Sequence, residues 1–354
     1  MQNAGGISVY FYELVRNLTR FAEVDTTLLL GKIGSVLPFE SLAGPQSHVN
    51  CSRTNVGPGF KRYALNDILS NAIAPAIRKF DIYHPTYYRC LPLVKSSAIV
   101  VTHHDCVLEL YPHLPKNAAL GRLVKRKQFA QASAIICVSE NSRKDLLRFY
   151  DIPHEKTHVV HLGVAQLPSG TVPVKALAAG PYLLYVGSRI MCKNFDAFIR
   201  AFAASRLRGD FSIVCVGGGP LSETEVQLIE KEGLEAKVVS IPRASSEELG
   251  ALYRQAHAFV YPSLYEGFGL PPLEAMASGT VAVVSNVSSI PEVCSDGAVY
   301  FDPSSTESMV DSLEQACYDE ALRSEVRKKG AAVAARYTWE GCTRKTLQVY
   351  RELL

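Results

Sequence analysis

The sequence predicts an α/β protein built from two doubly wound parallel sheets, and three features support this fold class. Short β-rich segments alternate with longer helical patterns along all 354 residues. The short segments are apolar on both faces, as parallel strands covered by helices should be. The chain is also longer than one typical domain, so we expect two domains.

Seven segments have the composition of buried strands. They are TTLLL at 26–30, SAIVVTHHD at 97–105, SAIICVS at 133–139, YLLYVGS at 182–188, FSIVCVGGG at 211–219, AFVYPS at 258–263 and VAVVSN at 281–286. The stretch 165–181 is rich in proline and small residues, which predicts a domain boundary there. We therefore expect a first domain at 1–168, a second at 169–339 and a C-terminal helix at 340–354, with Thr338 as its N-cap.

Composition excludes several classes of protein. A net charge of +3 with 20% charged residues is too balanced for a general nucleic-acid binder. The nine cysteines show neither C-x-x-C pairs nor zinc-ligand spacing, which indicates buried thiols in a reducing compartment and hence a cytoplasmic protein. No apolar stretch reaches the ~20 residues needed to span a bilayer. A basic run is also present, which is compatible with a patch that binds a membrane surface; it comprises Arg122, Lys125, Arg126 and Lys127.

Two carboxylates frame the glycine- and proline-rich segment YEGFGLPPLE at 265–274. It follows a predicted strand, and its two prolines should begin a helix, with Glu266 in the loop and Glu274 in the first helical turn. Gly267 and Gly269 permit positive φ and let backbone amides approach an anion such as a diphosphate. A carboxylate can also accept two hydrogen bonds from a sugar diol. The alternative is that Glu274 only favours the helix dipole and Glu266 is solvated.

Two further loops follow predicted strands of the second half. Arg189 and Lys193 flank the first, where cations would neutralise phosphate charge, although a solvated basic turn is the alternative. The second is the glycine run 217–219, which lacks the G-x-G-x-x-G order of a dinucleotide site.

In the first half, the strand at 97–105 ends in His-His-Asp. One histidine could be a hydrogen-bond donor or base while the other packs, and the alternative is that the histidine at the strand end is structural. The chain contains no Asp-x-Asp pair, which argues against a divalent metal held by carboxylates on a nucleotide diphosphate. We therefore expect no metal and no cofactor.

These motifs together resemble retaining glycosyltransferases of family 4, which have the GT-B fold of two Rossmann-like domains facing a central cleft. The resemblance extends over essentially the whole chain. It rests on the segments 3–14, 138–146, 187–194 and 263–279 and on THHD at 102–105. The segment 81–88 and the pattern HD-x-x-x-E-L-x-P at 104–112 look most like bacterial mannosyltransferases that build O-antigen and related surface polysaccharides.

The resemblance implies a role for each matching residue. Glu274 would bind the ribose of the nucleotide, Glu266 would contact the donor sugar near the reacting centre, and His104 would line the donor-sugar site. The other implied donor-binding residues contact the diphosphate or present the loop backbone to it: Gly5, Gly6, Arg189, Lys193, Gly267, Phe268, Gly269 and Leu270.

The implied reaction moves a hexose, with retention, from a nucleotide-diphosphate donor to a hydroxyl group. GDP-mannose is the expected donor and a UDP-hexose the alternative. The expected acceptor is a glycan or lipid-linked oligosaccharide at the inner face of the cytoplasmic membrane, with possible peripheral contact through the basic run. Rival interpretations are a sugar-nucleotide epimerase, a sugar phosphorylase with pyridoxal phosphate, and an inactive carbohydrate-binding relative.

Two departures from the family pattern are present. Only four residues precede Gly5, where the family has a first strand, so we expect that this strand is missing and that the start is internal or truncated. Ile241-Pro242 stands where a Leu-Gly turn is expected, which leaves the nucleobase pocket undefined.

Overall fold

The computed structural model describes residues 6–33, 37–44, 47–53, 80–88, 96–111, 113, 118–168 and 180–354. The chain forms two compact units. The first unit comprises Met1–Gly163 together with Thr338–Leu354, and the second comprises Val164–Tyr337. The C-terminal segment therefore returns to the first unit.

In the described part of the first unit, the strands form two parallel sheets. Strands β1 and β2 pair with each other, and strands β3 to β6 form a four-stranded sheet in the order β3-β4-β5-β6. These strands are β1 (Thr26–Ile33), β2 (Ser47–Arg53), β3 (Phe80–Tyr83), β4 (Ser96–His103), β5 (Ala134–Cys137) and β6 (Thr157–Val159). The helices before the second unit are α1 (Gly6–Leu18), α2 (Val107–Leu110), α3 (Ala118–Gln131) and α4 (Glu140–Phe149). Phe129 of α3 packs with Val101, Ile135 and Leu146 in a buried cluster.

The second unit contains one six-stranded parallel sheet in the order β12-β11-β10-β7-β8-β9. Its strands are β7 (Tyr182–Val186), β8 (Ser212–Val216), β9 (Val238–Ile241), β10 (Ala258–Tyr261), β11 (Ala282–Ser285) and β12 (Ala298–Phe301). Numbered within the unit, this is the dinucleotide-fold order 3-2-1-4-5-6, which reverses between the first and fourth strands. Ligands of such sheets bind outside the carboxyl ends at that reversal, here between β7 and β10.

Helices cover this sheet and supply its core. They are α5 (Phe195–Ala204), α6 (Leu207–Asp210), α7 (Glu223–Lys231), α8 (Ser246–Gln255), α9 (Leu270–Ala277), α10 (Ile290–Cys294), α11 (Thr306–Tyr318) and α12 (Glu320–Ala334). Phe198 and Phe202, one turn apart on α5, are buried in the same apolar cluster as Ile213 of β8. The predicted α/β fold with two parallel-sheet domains is confirmed.

The last helix, α13 (Trp339–Arg351), packs on α1 within the first unit, with 6.3 Å between the ring centroids of Tyr10 and Trp339. Thr338 is its N-cap, as predicted, and its side chain accepts a hydrogen bond of 3.0 Å from the Gly341 amide. A Cβ added to Gly163 would lie 2.3 Å from the Trp339 nitrogen, so the close approach of these segments requires glycine. Within the described ranges, no helix combines the length and apolar composition needed to cross a bilayer.

Candidate active site

The candidate site is formed by the loops that follow β7 and β10, the two strands that flank the reversal of strand order. The strands are hydrogen-bonded neighbours, with Ala258 opposite Leu183. Because both strands are parallel, their carboxyl ends lie at the same edge of the sheet. The loop after β7 contains a 3₁₀ turn, Met191–Lys193. The loop after β10 contains Glu266. Strand order therefore brings two predicted loops together.

An ion pair joins these loops. Lys193 Nζ lies 2.6 Å from Glu266 Oε1, and the two side chains are 21% and 11% exposed. The hydroxyl of Tyr261, at the end of β10, also hydrogen-bonds the Glu266 side chain. Burial, and then the charge of Glu266, raises the pKa of Tyr261 well above its usual value, so the hydroxyl stays neutral. The Lys193 ammonium and the neutral Tyr261 phenol thus fix the buried carboxylate of Glu266.

Two serines after β11 fix the backbone of the Glu266 loop. The Glu266 amide donates to Ser288 Oγ, and Ser289 Oγ contacts the carbonyl oxygens of Glu266 and Phe268, each at 2.9 Å. Ser288 has a φ of 54°, a conformation that costs energy for a residue with a side chain. Sequence reasoning missed both serines. Their position directly after a predicted strand is the signal that could have identified them.

The glycine loop runs directly into α9. Gly269 is its N-cap and has a φ of 104°, whereas Gly267 does not adopt a positive φ. The loop needs the left-handed conformation only where the chain turns into the helix. No side chain caps this N-terminus. Four amides at the start of a helix have no intrahelical acceptor, here those of Gly269 to Pro272; Pro271 and Pro272 have no N–H, so the available donors belong to Gly269 and Leu270.

Glu274 is the fifth residue of α9 and lies in its second turn, not in the first as predicted. The reason is that the helix begins at Leu270, ahead of the two prolines. The hydroxyl of Tyr253 on α8 donates to Glu274 Oε2 at 3.0 Å. Burial raises the pKa of Glu274, and this hydrogen bond opposes the shift. Like the two serines, Tyr253 is a residue next to the site that sequence reasoning missed.

Arg189 has different partners from Lys193. Its guanidinium is 3% exposed and pairs with Glu225 of α7, with 2.8 Å between Nε and Oε1. It also donates to the carbonyl oxygens of Gly217, Gly219 and Pro220 at 2.5–2.9 Å. Arg189 therefore braces the glycine turn after β8. Its predicted contact with a diphosphate stays a prediction.

His104 lies directly after β4 in the first unit. Its ring makes edge contacts with Tyr10 and Phe11, with centroids 5.5 Å and 6.5 Å apart. Burial, and then the nearby charge of Lys125, lowers the pKa of His104 to about 3, so the ring is neutral near pH 7. His103 points into the core, where it is fully buried and contacts the Tyr88 hydroxyl at 3.2 Å.

The basic run of α3 is only partly a surface patch, because Lys125 is 1% exposed. Lys125 Nζ lies 2.9 Å from the buried carboxylate of Glu109 and donates to the Asp105 carbonyl oxygen at 2.8 Å. Its charge thus fixes the backbone next to His104. The prediction of Lys125 as a membrane-facing residue is wrong, whereas Arg126 and Lys127 are exposed.

Of the paired glycines predicted to approach the phosphates, Gly6 is the exposed first residue of α1. Gly5 lies outside the described residues.

Comparison with known sequence families gives two matches that together span most of the chain. Residues 4–165 match the family described as Glycosyltransferase Family 4. Residues 173–333 match the family described as Glycosyl transferases group 1.

Two curated relatives carry related names. The chain is 30% identical over 289 residues to O-antigen chain mannosyltransferase B of Escherichia coli, covering 77% of this chain and 74% of the relative. It is 29% identical over 233 residues to O-antigen chain mannosyltransferase RfbU of Salmonella typhimurium, covering 65% and 64% of the two chains.

Among solved structures, the fold is similar to that of the sucrose-phosphate synthase from Thermosynechococcus elongatus. The TM-score is 0.78 at 20% sequence identity, over 99% of this chain and 94% of that chain. This similarity shows that the chain has the GT-B fold.

Proposed function

Since the chain belongs to the family 4 glycosyltransferases, we propose that it transfers mannose from GDP-mannose to a hydroxyl group of a growing lipid-linked glycan in surface-polysaccharide biosynthesis. In this reaction the acceptor oxygen forms a bond to the anomeric carbon, the bond from that carbon to the diphosphate breaks, and the configuration is retained. The acceptor proton is released. Two charges need stabilisation on the way: positive charge on the oxocarbenium-like sugar and negative charge on the departing diphosphate.

The observation that carries the proposal is the Lys193–Glu266 ion pair at the carboxyl ends of β7 and β10. The buried carboxylate of Glu266 suits the first charge and the ammonium of Lys193 suits the second. The N-terminus of α9, which no side chain caps, adds backbone dipoles of the right sign for an anion. Glu274 on the same helix offers an acceptor for ribose hydroxyls. Together these groups could hold the diphosphate, the sugar and the ribose.

The choice of GDP-mannose is supported by the 30% identical relative that is named a mannosyltransferase. The alternative donor is a UDP-hexose. Titration calorimetry with GDP, UDP and ADP tests the choice, and we expect GDP to bind at least ~10-fold more tightly than the others. Release of GDP from GDP-mannose on addition of lipid-linked acceptor should follow. A clear preference for UDP would overturn the donor. The absence of turnover with any sugar nucleotide would favour an inactive carbohydrate-binding relative.

We also propose that the reaction needs no metal ion. The proposal rests on the missing Asp-x-Asp pair and on Lys193 as a fixed cation for the diphosphate. Activity should therefore persist in EDTA. A strict requirement for Mg²⁺ or Mn²⁺, restored on adding the ion back, would contradict it.

In this proposal the protein meets the lipid-linked acceptor at an anionic membrane surface. Exposed side chains of α3 support this part of the proposal. Leu120 and Leu123 on its outer side are 43% and 64% exposed, and Arg126 and Lys127 are exposed beside them. Exposed leucines next to basic side chains suit an interface with anionic lipid.

Flotation with vesicles of phosphatidylglycerol and phosphatidylethanolamine tests the membrane contact. Leu123→Asp should reduce vesicle binding by roughly tenfold or more, because apolar burial is lost and a repelling charge is added. Val226→Asp changes an exposed apolar residue of the second unit, 39% accessible, and serves as the matched control. Equal flotation of the parent and Leu123→Asp, or no preference of the parent for anionic lipid, would exclude α3 as the contact.

A further inference from the structure

Glu274, the residue assigned to the ribose, is held by a neighbour that no sequence motif contains. Tyr253 of α8 is fully buried, and its hydroxyl donates to Glu274 Oε2 at 3.0 Å. Among the described residues, no other side-chain or backbone donor contacts this carboxylate. One oxygen of Glu274 is therefore bound by the protein, and the second keeps its acceptor capacity.

Tyr253 is itself fixed at three points, so its hydroxyl has little freedom. Its ring lies edge-on to Phe259 of β10, with centroids 5.5 Å apart. Its carbonyl oxygen accepts a hydrogen bond from the Thr280 hydroxyl. The third point is the bond to Glu274. A rigid donor restricts the χ angles of the glutamate, whose side chain would otherwise lose considerable rotamer entropy on binding a ligand.

The hydrogen bond also acts on the charge of Glu274. Burial raises the pKa of this carboxyl group, whereas the bond from Tyr253 lowers it, because a donor stabilises the ionised form. The same proximity to Glu274, after burial, raises the pKa of Tyr253, so the phenol keeps its proton and remains a donor. An ionised carboxylate is the better acceptor for a sugar hydroxyl, and its hydrogen bonds are stronger than those of the protonated group.

We propose that Tyr253 is a positioning residue for nucleotide recognition: its hydroxyl fixes Glu274 in one rotamer, with one carboxylate oxygen free to accept hydrogen bonds from the ribose. The inference rests on the proposed function, since it needs Glu274 to bind the nucleotide. It extends that function to a buried residue 21 positions away in the chain, on a different helix.

The test compares Tyr253→Phe with the matched control Tyr182→Phe. Both tyrosines are buried in the second unit, and Tyr182 donates instead to the Leu252 carbonyl oxygen at 2.7 Å. Tyr253→Phe should weaken GDP binding by roughly tenfold at pH 7, because a hydrogen bond to a charged group is lost. The loss should be larger at pH 5.5 than at pH 8, since Glu274 protonates more readily without its donor. In turnover assays KM should change more than kcat. Tyr182→Phe should bind GDP like the parent at every pH.

Glu274→Gln separates failure of this inference from failure of the proposed function. If Glu274→Gln weakens GDP binding and Tyr253→Phe does not at any pH, Tyr253 has no positioning role and the proposed function stands. If Glu274→Gln binds GDP with parental affinity, the ribose contact is wrong and the positioning role is wrong with it. Titration calorimetry keeps the test valid for a partly unfolded variant, because inactive protein lowers the stoichiometry and leaves the Kd of the folded fraction unchanged.

Discussion

Lys193 and Glu266 form an ion pair with 2.6 Å between Nζ and Oε1, although 73 positions separate them in the chain. Their loops meet because β7 and β10 are neighbours in the sheet. The cation assigned to the diphosphate thus contacts the carboxylate assigned to the sugar. Each charge is mostly buried, so removing either one leaves the other in a poorly solvated place. The effects of substituting the two residues should therefore be non-additive.

Glu266→Gln should lower kcat by at least ~10² while leaving GDP affinity within a few-fold of the parent. The carboxylate stabilises charge that develops mainly in the transition state, so its loss affects the rate more than ground-state binding. Steady-state kinetics together with calorimetry measure both effects. Glu314→Gln, which alters an exposed ion pair with Arg206, is the control and should leave kcat unchanged. An unaltered kcat in Glu266→Gln would exclude its catalytic role.

Lys193→Ala should weaken GDP binding by roughly tenfold or more, because a charge-assisted hydrogen bond to the diphosphate is lost. The Glu266 carboxylate, without the lysine charge beside it, should then repel the diphosphate as well. The double variant Lys193→Ala/Glu266→Gln should consequently bind GDP more tightly than Lys193→Ala alone. Lys329→Ala, which removes an exposed lysine paired with Glu325, provides the control. Parental GDP affinity in Lys193→Ala would remove this residue from the site.

Arg189→Lys should lower the free energy of unfolding by about 3–5 kcal/mol, the usual cost of breaking a buried, hydrogen-bonded ion pair. A lysine cannot supply the planar set of donors that reaches both Glu225 and the glycine-turn carbonyls. Urea unfolding measures the change. Arg206→Lys alters a pair in which the arginine is 74% exposed and should cost less than about 1 kcal/mol. A stable Arg189→Lys protein that binds GDP poorly would instead assign the guanidinium to the ligand.

In the four-stranded and six-stranded sheets, the sequence predicted the interior strands and missed the edge strands. Each of the seven predicted strands is present. Among the described residues, four of the five strands that were missed lie at sheet edges: β3, β6, β9 and β12; the fifth, β2, belongs to a two-stranded sheet. An edge strand has one neighbour and is less completely covered, so it does not need a continuous apolar run. All four residues of β9 are only partly buried, for example, whereas those of β10 are all buried.

The candidate site was predictable where it depends on local chain features and not where it depends on topology. The glycine loop with its two acids and the basic loop after β7 were both identified, because each follows an apolar strand. Strand order determines which loops meet, and local sequence patterns do not encode strand order. The Arg189–Glu225 pair and the Tyr253–Glu274 hydrogen bond were therefore missed. Each joins residues from different helices or loops.

Two of the buried, neutral histidines in the first unit, His84 and His104, should make the protein sensitive to acid. Burial, and then the proximity of the other histidine, lowers the pKa of His84 to about 3, and burial with Lys125 lowers that of His104 to about 3. His84 contacts the hydroxyl groups of Tyr350 at 2.6 Å and Thr102 at 2.8 Å, which a neutral ring can satisfy. The groups facing His104 include the rings of Tyr10 and Phe11 and the charge of Lys125. None of these favours an imidazolium.

The sign of the pH effect follows from how many protons the two rings bind in the folded and in the unfolded chain. Above pH ~6.5 both rings are neutral whether the chain is folded or not, so they add no pH dependence. Below pH ~6.5 the unfolded chain binds their protons and the folded chain does not. Unfolding is therefore favoured as the pH falls from ~6.5 towards 3, by at most about 1.4 kcal/mol per pH unit for each histidine.

Urea unfolding at pH 7.0, 6.0 and 5.2 measures this slope before most carboxyl groups titrate. His104→Gln should reduce the slope by close to one proton, because glutamine cannot take up a proton in the unfolded chain. The control is His154→Gln at an exposed position, which should leave the slope as it is in the parent. If His104→Gln and the parent lose stability equally between pH 7.0 and 5.2, the ring of His104 is protonated in the folded protein. It would then be a cation rather than a neutral hydrogen-bonding group.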